Sequence, residues 1–343
     1  MCAASIAHER ILRLLDGAFD AAVVGAALEM NLFALLLEQP LSAEAIAARL
    51  NIPLRRCSYM LQLLCRSGLL DETRQGYVTS NLARSEIVDA YSSETWAFLA
   101  MEARERAPVV RDLAVHVHDP GSILGSLGLN RRNYIKQMTE DPQRAQRFTR
   151  MLRELHSQLA EDLAAVMDCN GVTRLMDLGG GSGVVSSALL RRHPELQQAV
   201  VVDIPPVCAA GREIAMENHQ QDRLLFHALA DFLIDDLPSG FDLIIECDVG
   251  VFNELLFRKM YNALNPHGRV AVIDEFPPAK GIAHAAGLYW ALERSLDDPE
   301  FAAPTAGDVC LLLQKAGYSG ITERVLPERE EINPGTILIE GHR

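Results

Sequence analysis

The chain is 343 residues long, more than a single compact core ordinarily supports, so two domains are expected. With 49% hydrophobic and 23% charged residues and no twenty-residue apolar span, it reads as a globular protein that does not cross a membrane. A net charge of −14 argues against nucleic acid and anionic membrane surfaces as partners.

Residues 8–38 carry Ile11, Leu14, Leu15, Phe19, Val23, Ala27, Met30 and Phe33 at helical spacing. So little of this stretch is polar that the helices are expected to pack against something beyond their own domain. Ser42 can cap a short helix through Leu50, and Asn51 can end it. Pro53 opens a second helix with Tyr59, Met60, Leu63 and Leu64, up to Ser67-Gly68. Two short strands, Leu69–Asp71 and Gly76–Thr79, complete a helix-turn-helix with a wing. Alone, that module suggests a DNA-binding regulator, and Arg55, Arg56 and Arg66 support the idea; the surrounding acidity opposes it.

Residues 81–135 connect, with a helix predicted around Thr95–Arg106 and a glycine-rich loop at 119–130 suited either to substrate access or to irregular packing. Asp141-Pro142 then starts a long amphipathic helix through 168. Its stripe is Phe148, Met151, Leu152, Leu155, Leu159, Leu163 and Met167. From Gly171, strands at 172–178, 199–203, 224–228, 241–246 and 268–274 alternate with helices, and further strands are predicted at 321–326 and 335–340. Thr305 is placed to cap a helix running to Ala316. This pattern predicts an α/β fold, a Rossmann-like doubly wound, mostly parallel sheet, behind an N-terminal, mainly helical winged-helix domain.

The chemistry concentrates at Leu178-Gly-Gly-Gly-Ser-Gly183. An apolar strand breaks into glycines and a small-residue helix follows, which puts bare backbone at the carboxyl end of a strand, where open α/β sheets bind ligands. Twenty residues on, the run Ala199–Val202 ends in Asp203, placed to accept both hydroxyls of a ribose. Val184 stands where a dinucleotide turn needs its third glycine or alanine, and no Gly-Lys-Ser/Thr follows. A nucleoside ligand without a pyrophosphate remains.

Met176–Gly183 and Val201-Val-Asp-Ile-Pro205 resemble the first and second motifs of the class I S-adenosylmethionine-dependent methyltransferases, in the small-molecule O-methyltransferase family. The resemblance implies a winged-helix dimerisation domain at 1–110, connecting helices and a substrate-pocket wall at 111–170, and a cofactor domain at 171–343. It also implies a homodimer with S-adenosylmethionine as cofactor and a small-molecule methyl acceptor. Cofactor contacts are expected from Asp177, Gly179, Gly180, Gly181, Gly183, Asp203, Ile204 and Cys247. Asp231 and Phe232 match a pair that receives adenine; the alternative is a turn acid beside a core phenylalanine. Phe148, Met151, Val251 and Trp290 are expected at the acceptor.

The fourth strand departs from the family. Where Leu-His-Asp-Trp is usual, with the histidine as general base on a phenol, this chain has Gly250-Val-Phe-Asn253, and Val251 falls at the histidine. Candidate substitute bases are Asp274, Glu275 and His284, Asp274 reading equally as a strand-end acid that caps the next turn, while His227 and His267 read as structural. The expected reaction is in-line methyl transfer to a hydroxyl or carboxylate of an aromatic or polyketide-like metabolite. Methylation at carbon or nitrogen, which needs no base at 251, is the alternative, as is other chemistry on the same cofactor. Seven scattered cysteines without a Cys-x-x-Cys pair predict reduced thiols, and His116 with His118 is too little for a metal site, so none is expected. An N-terminus without a secretory pattern makes a cytoplasmic protein the default expectation.

Overall fold

The computed structural model of the chain describes residues 2–119, 131–277, 285–326 and 336–343. Most of the glycine-rich stretch at 119–130 and the candidate base His284 lie outside the described residues. Two compact units are formed, Met1–Asp112 and Leu113–Arg343.

The first unit holds α1 (Cys2–Glu29), α2 (Leu32–Leu35), α3 (Ala43–Leu50), α4 (Leu54–Arg66), β1 (Leu70–Thr73), β2 (Gly76–Thr79), α5 (Asn81–Ala83) and α6 (Ser93–Arg111). The local signals act as their chemistry dictates. The Ser42 hydroxyl accepts the Ala45 amide at 3.3 Å, and Asn51 ends α3 in the left-handed region at φ 53°. β1 and β2 pair antiparallel, so the helix-turn-helix and its wing are present. Leu32, Phe33, Leu36, Ile46, Cys57, Leu61, Leu64 and Leu70 form the core. The first half of α1 stays outside it: Ile11, Leu15 and Phe19 are 58%, 73% and 77% exposed.

The second unit opens with α7 (Leu113–His116), α8 (Arg131–Glu140), α9 (Pro142–Leu155) and α10 (Ser157–Val166). The single long helix expected over 141–168 is two: the chain bends at His156, whose backbone (φ −94°, ψ 2°) ends α9 and begins α10. A continuous apolar stripe could not reveal that break, because both helices turn the same stripe inward. Then β3 (Arg174–Leu178), α11 (Val184–Arg192), β4 (Gln198–Asp203), α12 (Pro205–Glu217), β5 (Leu224–Ala228), β6 (Phe241–Cys247), α13 (Glu254–Ala263), β7 (Leu264–Glu275), α14 (Ala285–Asp297), α15 (Ala306–Ala316), β8 (Ser319–Val325) and β9 (Thr336–His342) follow. Thr305 caps α15 reciprocally with Asp308.

The seven strands lie in the order β5-β4-β3-β6-β7-β9-β8. β3 through β7 run parallel, and β9 returns antiparallel between β7 and β8. The order reverses between β3 and β4 on one side and β6 on the other, which opens a crevice above the carboxyl ends of these strands. One sheet face packs on α10 and α11 through Leu163, Leu175, Leu189 and Ile245. The other packs on α13 and α15 through Met176, Ile244, Phe257 and Val309. At one edge β8 is exposed along nearly its whole length. Among the described residues no helix is long and apolar enough to cross a membrane, and no cluster of side chains is arranged to hold a metal.

Candidate active site

A cavity of about 620 Å³ lies at the carboxyl ends of the central strands, within the second unit. Its floor is the turn after β3. Gly179 and Gly181 adopt left-handed φ of 69° and 56° and both line the cavity. A Cβ at 179 would stand 2.6 Å from the Val249 side chain, whereas at 181 there is open space. The neighbouring glycines work differently. Gly180 covers Asp177, whose carboxylate would lie 2.3–2.6 Å from an added Cβ. Gly183 closes α11 onto the sheet, where a Cβ would meet Leu224 and Val201 at 3.1 Å.

Asp177, expected among the cofactor contacts, is instead buried beneath the turn. The Ser186 hydroxyl donates to it at 2.7 Å, its other oxygen has no partner, and burial pushes its carboxyl up to about 6. Asp203, at the tip of β4, is held by two backbone amides: Gly181 at 3.0 Å on one oxygen and Ile204 at 2.7 Å on the other. It lines the cavity with Ile204. Tyr134 of α8 joins them, edge-on to Phe148 at 5.7 Å between ring centroids. Burial, with the nearby Asp203 carboxylate, pushes its phenol far above the ordinary value. Sequence reasoning did not find Tyr134, because a single aromatic in a polar helix carries no pattern.

Phe232 is buried and walls the cavity; Asp231 does not line it, and its carboxylate accepts the Leu233 amide at 2.8 Å in its own turn. Phe148 reaches the cavity from α9, but Met151 faces the core at 4% exposure. Cys247 does not line the cavity either, and burial pushes its thiol well above the ordinary value. Trp290 does line it, packed edge-on against Phe301 at 5.2 Å, and Arg294 stands one turn along the same helix.

Acids gather where β6 and β7 end. Asp274 and Glu275 both line the cavity, with Asp248 and Val251. One Asp274 oxygen accepts the Glu275 amide at 2.7 Å; the other is buried without a partner. Burial, and next the Asp248 charge, push its carboxyl up to about 7. Asp248 sits in the left-handed region at φ 55°, and its Oδ2 accepts from His156 Nε2 at 2.8 Å. Behind them Glu246 is completely buried, with no partner in bonding geometry for either carboxylate oxygen, although the Val251 amide lies near enough to favour the charged form somewhat. Burial, then Asp274 and Asp248, push it well above the carboxylate range. Neither Glu246 nor the Asp248–His156 pair was expected to matter. The signal available for Glu246 was an acid directly after the aliphatic run Leu243-Ile-Ile, inside the strand rather than at its end.

Residues 126–319 match the O-methyltransferase domain, and residues 12–89 match the O-methyltransferase dimerisation domain, which overlies the helix-turn-helix. The chain is 32% identical over 235 residues to the 3-hydroxy-5-methyl-1-naphthoate 3-O-methyltransferase of Streptomyces sahachiroi, a stretch covering 68% of this chain and 65% of that protein's length. It is 30% identical over 278 residues to the N,N-dimethyltransferase OxyT of Streptomyces rimosus, covering 79% of each. The structure of the mitomycin 7-O-methyltransferase MmcR superposes with a TM-score of 0.82 at 23% identity, covering 99% of both chains, so the fold is shared from end to end. The chain therefore belongs to the O-methyltransferase family, with that family's dimerisation domain at its N-terminal side.

Proposed function

We propose that this protein transfers the methyl group of S-adenosylmethionine to a hydroxyl or carboxylate of an aromatic or polyketide-like small molecule. The observation that carries the reading is the pairing of the side-chain-free turn at Gly179 and Gly181 with the Asp203 carboxylate in one cavity. Two amides fix that carboxylate at the cavity wall, where it is placed to accept from a pair of vicinal hydroxyls. Ile204 and Phe232 supply apolar walls for a purine, and Asp177, Gly180 and Gly183 shape the turn. The residues fit the group.

S-adenosylmethionine, when bound, supplies a methyl group on a cationic sulfur that leaves as a neutral thioether. The protein's part is alignment and exclusion of water. Phe148 and Trp290 give an aromatic acceptor flat surfaces. Asp274 takes the acceptor's proton in place of the imidazole absent at Val251. A second reading, methylation at nitrogen or carbon, is favoured by that same absence, and one relative is named an N,N-dimethyltransferase.

The protein acts as a homodimer, on the support of the apolar face that α1 leaves exposed at Ile11, Leu15 and Phe19. Seven scattered cysteines suit a reducing cytoplasm. The test is incubation with methyl-labelled S-adenosylmethionine and a panel of phenols, aromatic acids and amines, with products fragmented by mass spectrometry. Label on oxygen of a phenol or acid is expected. Label on nitrogen or carbon selects the second reading, and no calorimetric binding of the cofactor overturns both.

A further inference from the structure

Glu246 directly follows the aliphatic run Leu243-Ile-Ile in β6, and no hydrogen bond or ion pair among the described residues requires a carboxyl there. It is 0% exposed and makes no ion pair among the described residues. An ionised carboxylate in that setting is costly, so the group is held neutral. A neutral carboxyl carries an O–H, and that donor needs an acceptor.

The sheet register supplies one. Glu246 stands opposite Val272 on β7, so Asp274 lies two residues further along the adjacent strand and on the same sheet face. Three buried oxygens without a partner lie on that face: both of Glu246 and Oδ2 of Asp274. A proton on Glu246 supplies that face with a donor, and the orphaned Asp274 oxygen is an acceptor on it. Among the described residues, the other charged groups on that side of the cavity are Asp248, from the loop after β6 and tied to His156 at the α9–α10 joint; Glu275 on its own strand; and Arg294, which lines the same cavity from α14. β9 presents Ile337 in register, which carries no charge. The amides of Glu275 and Gly250 favour the charged form, but burial and the acidic neighbours oppose it.

We propose that Glu246 is a positioning residue for methyl transfer: sealed under the loop at 249–252, it holds a proton against Asp274 and keeps the Asp274 carboxylate ionised and aimed at the acceptor. The inference rests on the methyl-transfer reading. As the acceptor oxygen bonds to the methyl carbon, its proton passes to Asp274, and the carbon–sulfur bond breaks with its electron pair remaining on sulfur. The sulfonium charge and the Asp274 charge disappear together. Asp274 later releases the proton through the cavity mouth, while the proton on Glu246 stays where it is.

Two variants and one spectroscopic measurement test this. In the wild type, kcat/KM rises with pH as Asp274 ionises. Glu246→Leu removes the donor and is expected to move that limb to higher pH by about one unit, a tenfold loss below it. Glu246→Gln restores an N–H donor and is expected to return the limb towards the wild-type position. In the cofactor-free protein at pH 8, infrared spectroscopy is expected to show a protonated-carboxyl stretch that shifts in D2O and vanishes in Glu246→Gln. A limb that stays or falls in Glu246→Leu, a Gln variant no better than Leu, or no such band overturns the proposal. If Glu246→Leu does not fold, the Gln variant and the infrared band decide. Failure of the methyl-transfer reading is recognised separately, as no cofactor binding by the wild type.

Discussion

The Gly181 amide donates to the Asp203 carboxylate at 3.0 Å, so the turn after β3 and the tip of β4 are locked to each other before any ligand arrives. Asp203 is thus both a structural tie and the proposed sugar contact. Asp203→Ala is expected to weaken S-adenosylmethionine by at least about 100-fold, from the loss of two hydrogen bonds to a charged group at roughly 1.5–3 kcal/mol each. Calorimetry showing unchanged affinity removes the assignment.

A Cβ at 180 meets the Asp177 carboxylate at 2.3–2.6 Å, and that carboxylate is pinned by Ser186. Gly180→Ala is therefore expected to destabilise the second unit by about 1–3 kcal/mol. Gly181→Ala meets no atom but is forced into left-handed backbone, at about 1–2 kcal/mol. Thermal melts of the two variants check both values, and a Gly180→Ala protein as stable as wild type would contradict the placement of Asp177.

Asp177 also makes stability depend on pH. Its folded value, about 6, is above the unfolded one, so its contribution is fully present below about pH 4 and is lost as pH rises through about 6. Asp177→Asn keeps an acceptor for Ser186 and removes the buried charge. It is expected to stabilise the protein above pH 6, by on the order of 2–3 kcal/mol, and to do nothing at pH 4. Melting temperatures across this range are the measurement.

Asp274→Asn is expected to lower kcat by about 10²–10⁴-fold against a phenol while leaving cofactor affinity intact. Because the base must be ionised and its carboxyl is raised to about 7, wild-type kcat/KM is expected to climb as pH passes 7. A flat profile between pH 6 and 8 would show that the acceptor arrives without its proton.

Leu15 and Phe19 are 73% and 77% exposed on α1, too apolar for solvent. Leu15→Glu with Phe19→Glu is expected to convert a dimer to monomers in light scattering, with the fold retained by circular dichroism.

The parallel sheet was legible because its strands are unbroken aliphatic runs ending in acids and glycines, and Val200–Asp203 shows both signals at once. Gly179, Gly181, Asp203 and Asp274 stand at the ends of such runs, and they line one cavity with Phe232, which came from the family resemblance, and Trp290, from a helical aromatic pair. What escaped depended on distance across the fold. Nothing local distinguishes Met151 from Phe148, yet the helix turns one inward to the core and the other to the cavity. The contact between His156 and Asp248 joins residues far apart in sequence and exists only because the helix bends at 156. Asp231 was expected at adenine; it does not line the cavity, and its Oδ1 accepts the Leu233 amide in its own turn, a local contact the pattern did not show.

The outermost strand, β8, leaves a row of backbone donors and acceptors facing outward, the kind of border along which sheets of separate molecules can join. Glu323 and Arg324 interrupt that border with charge on successive residues, and Gly320 breaks its regularity at φ 60°. Self-association by sheet extension along β8 is thereby discouraged.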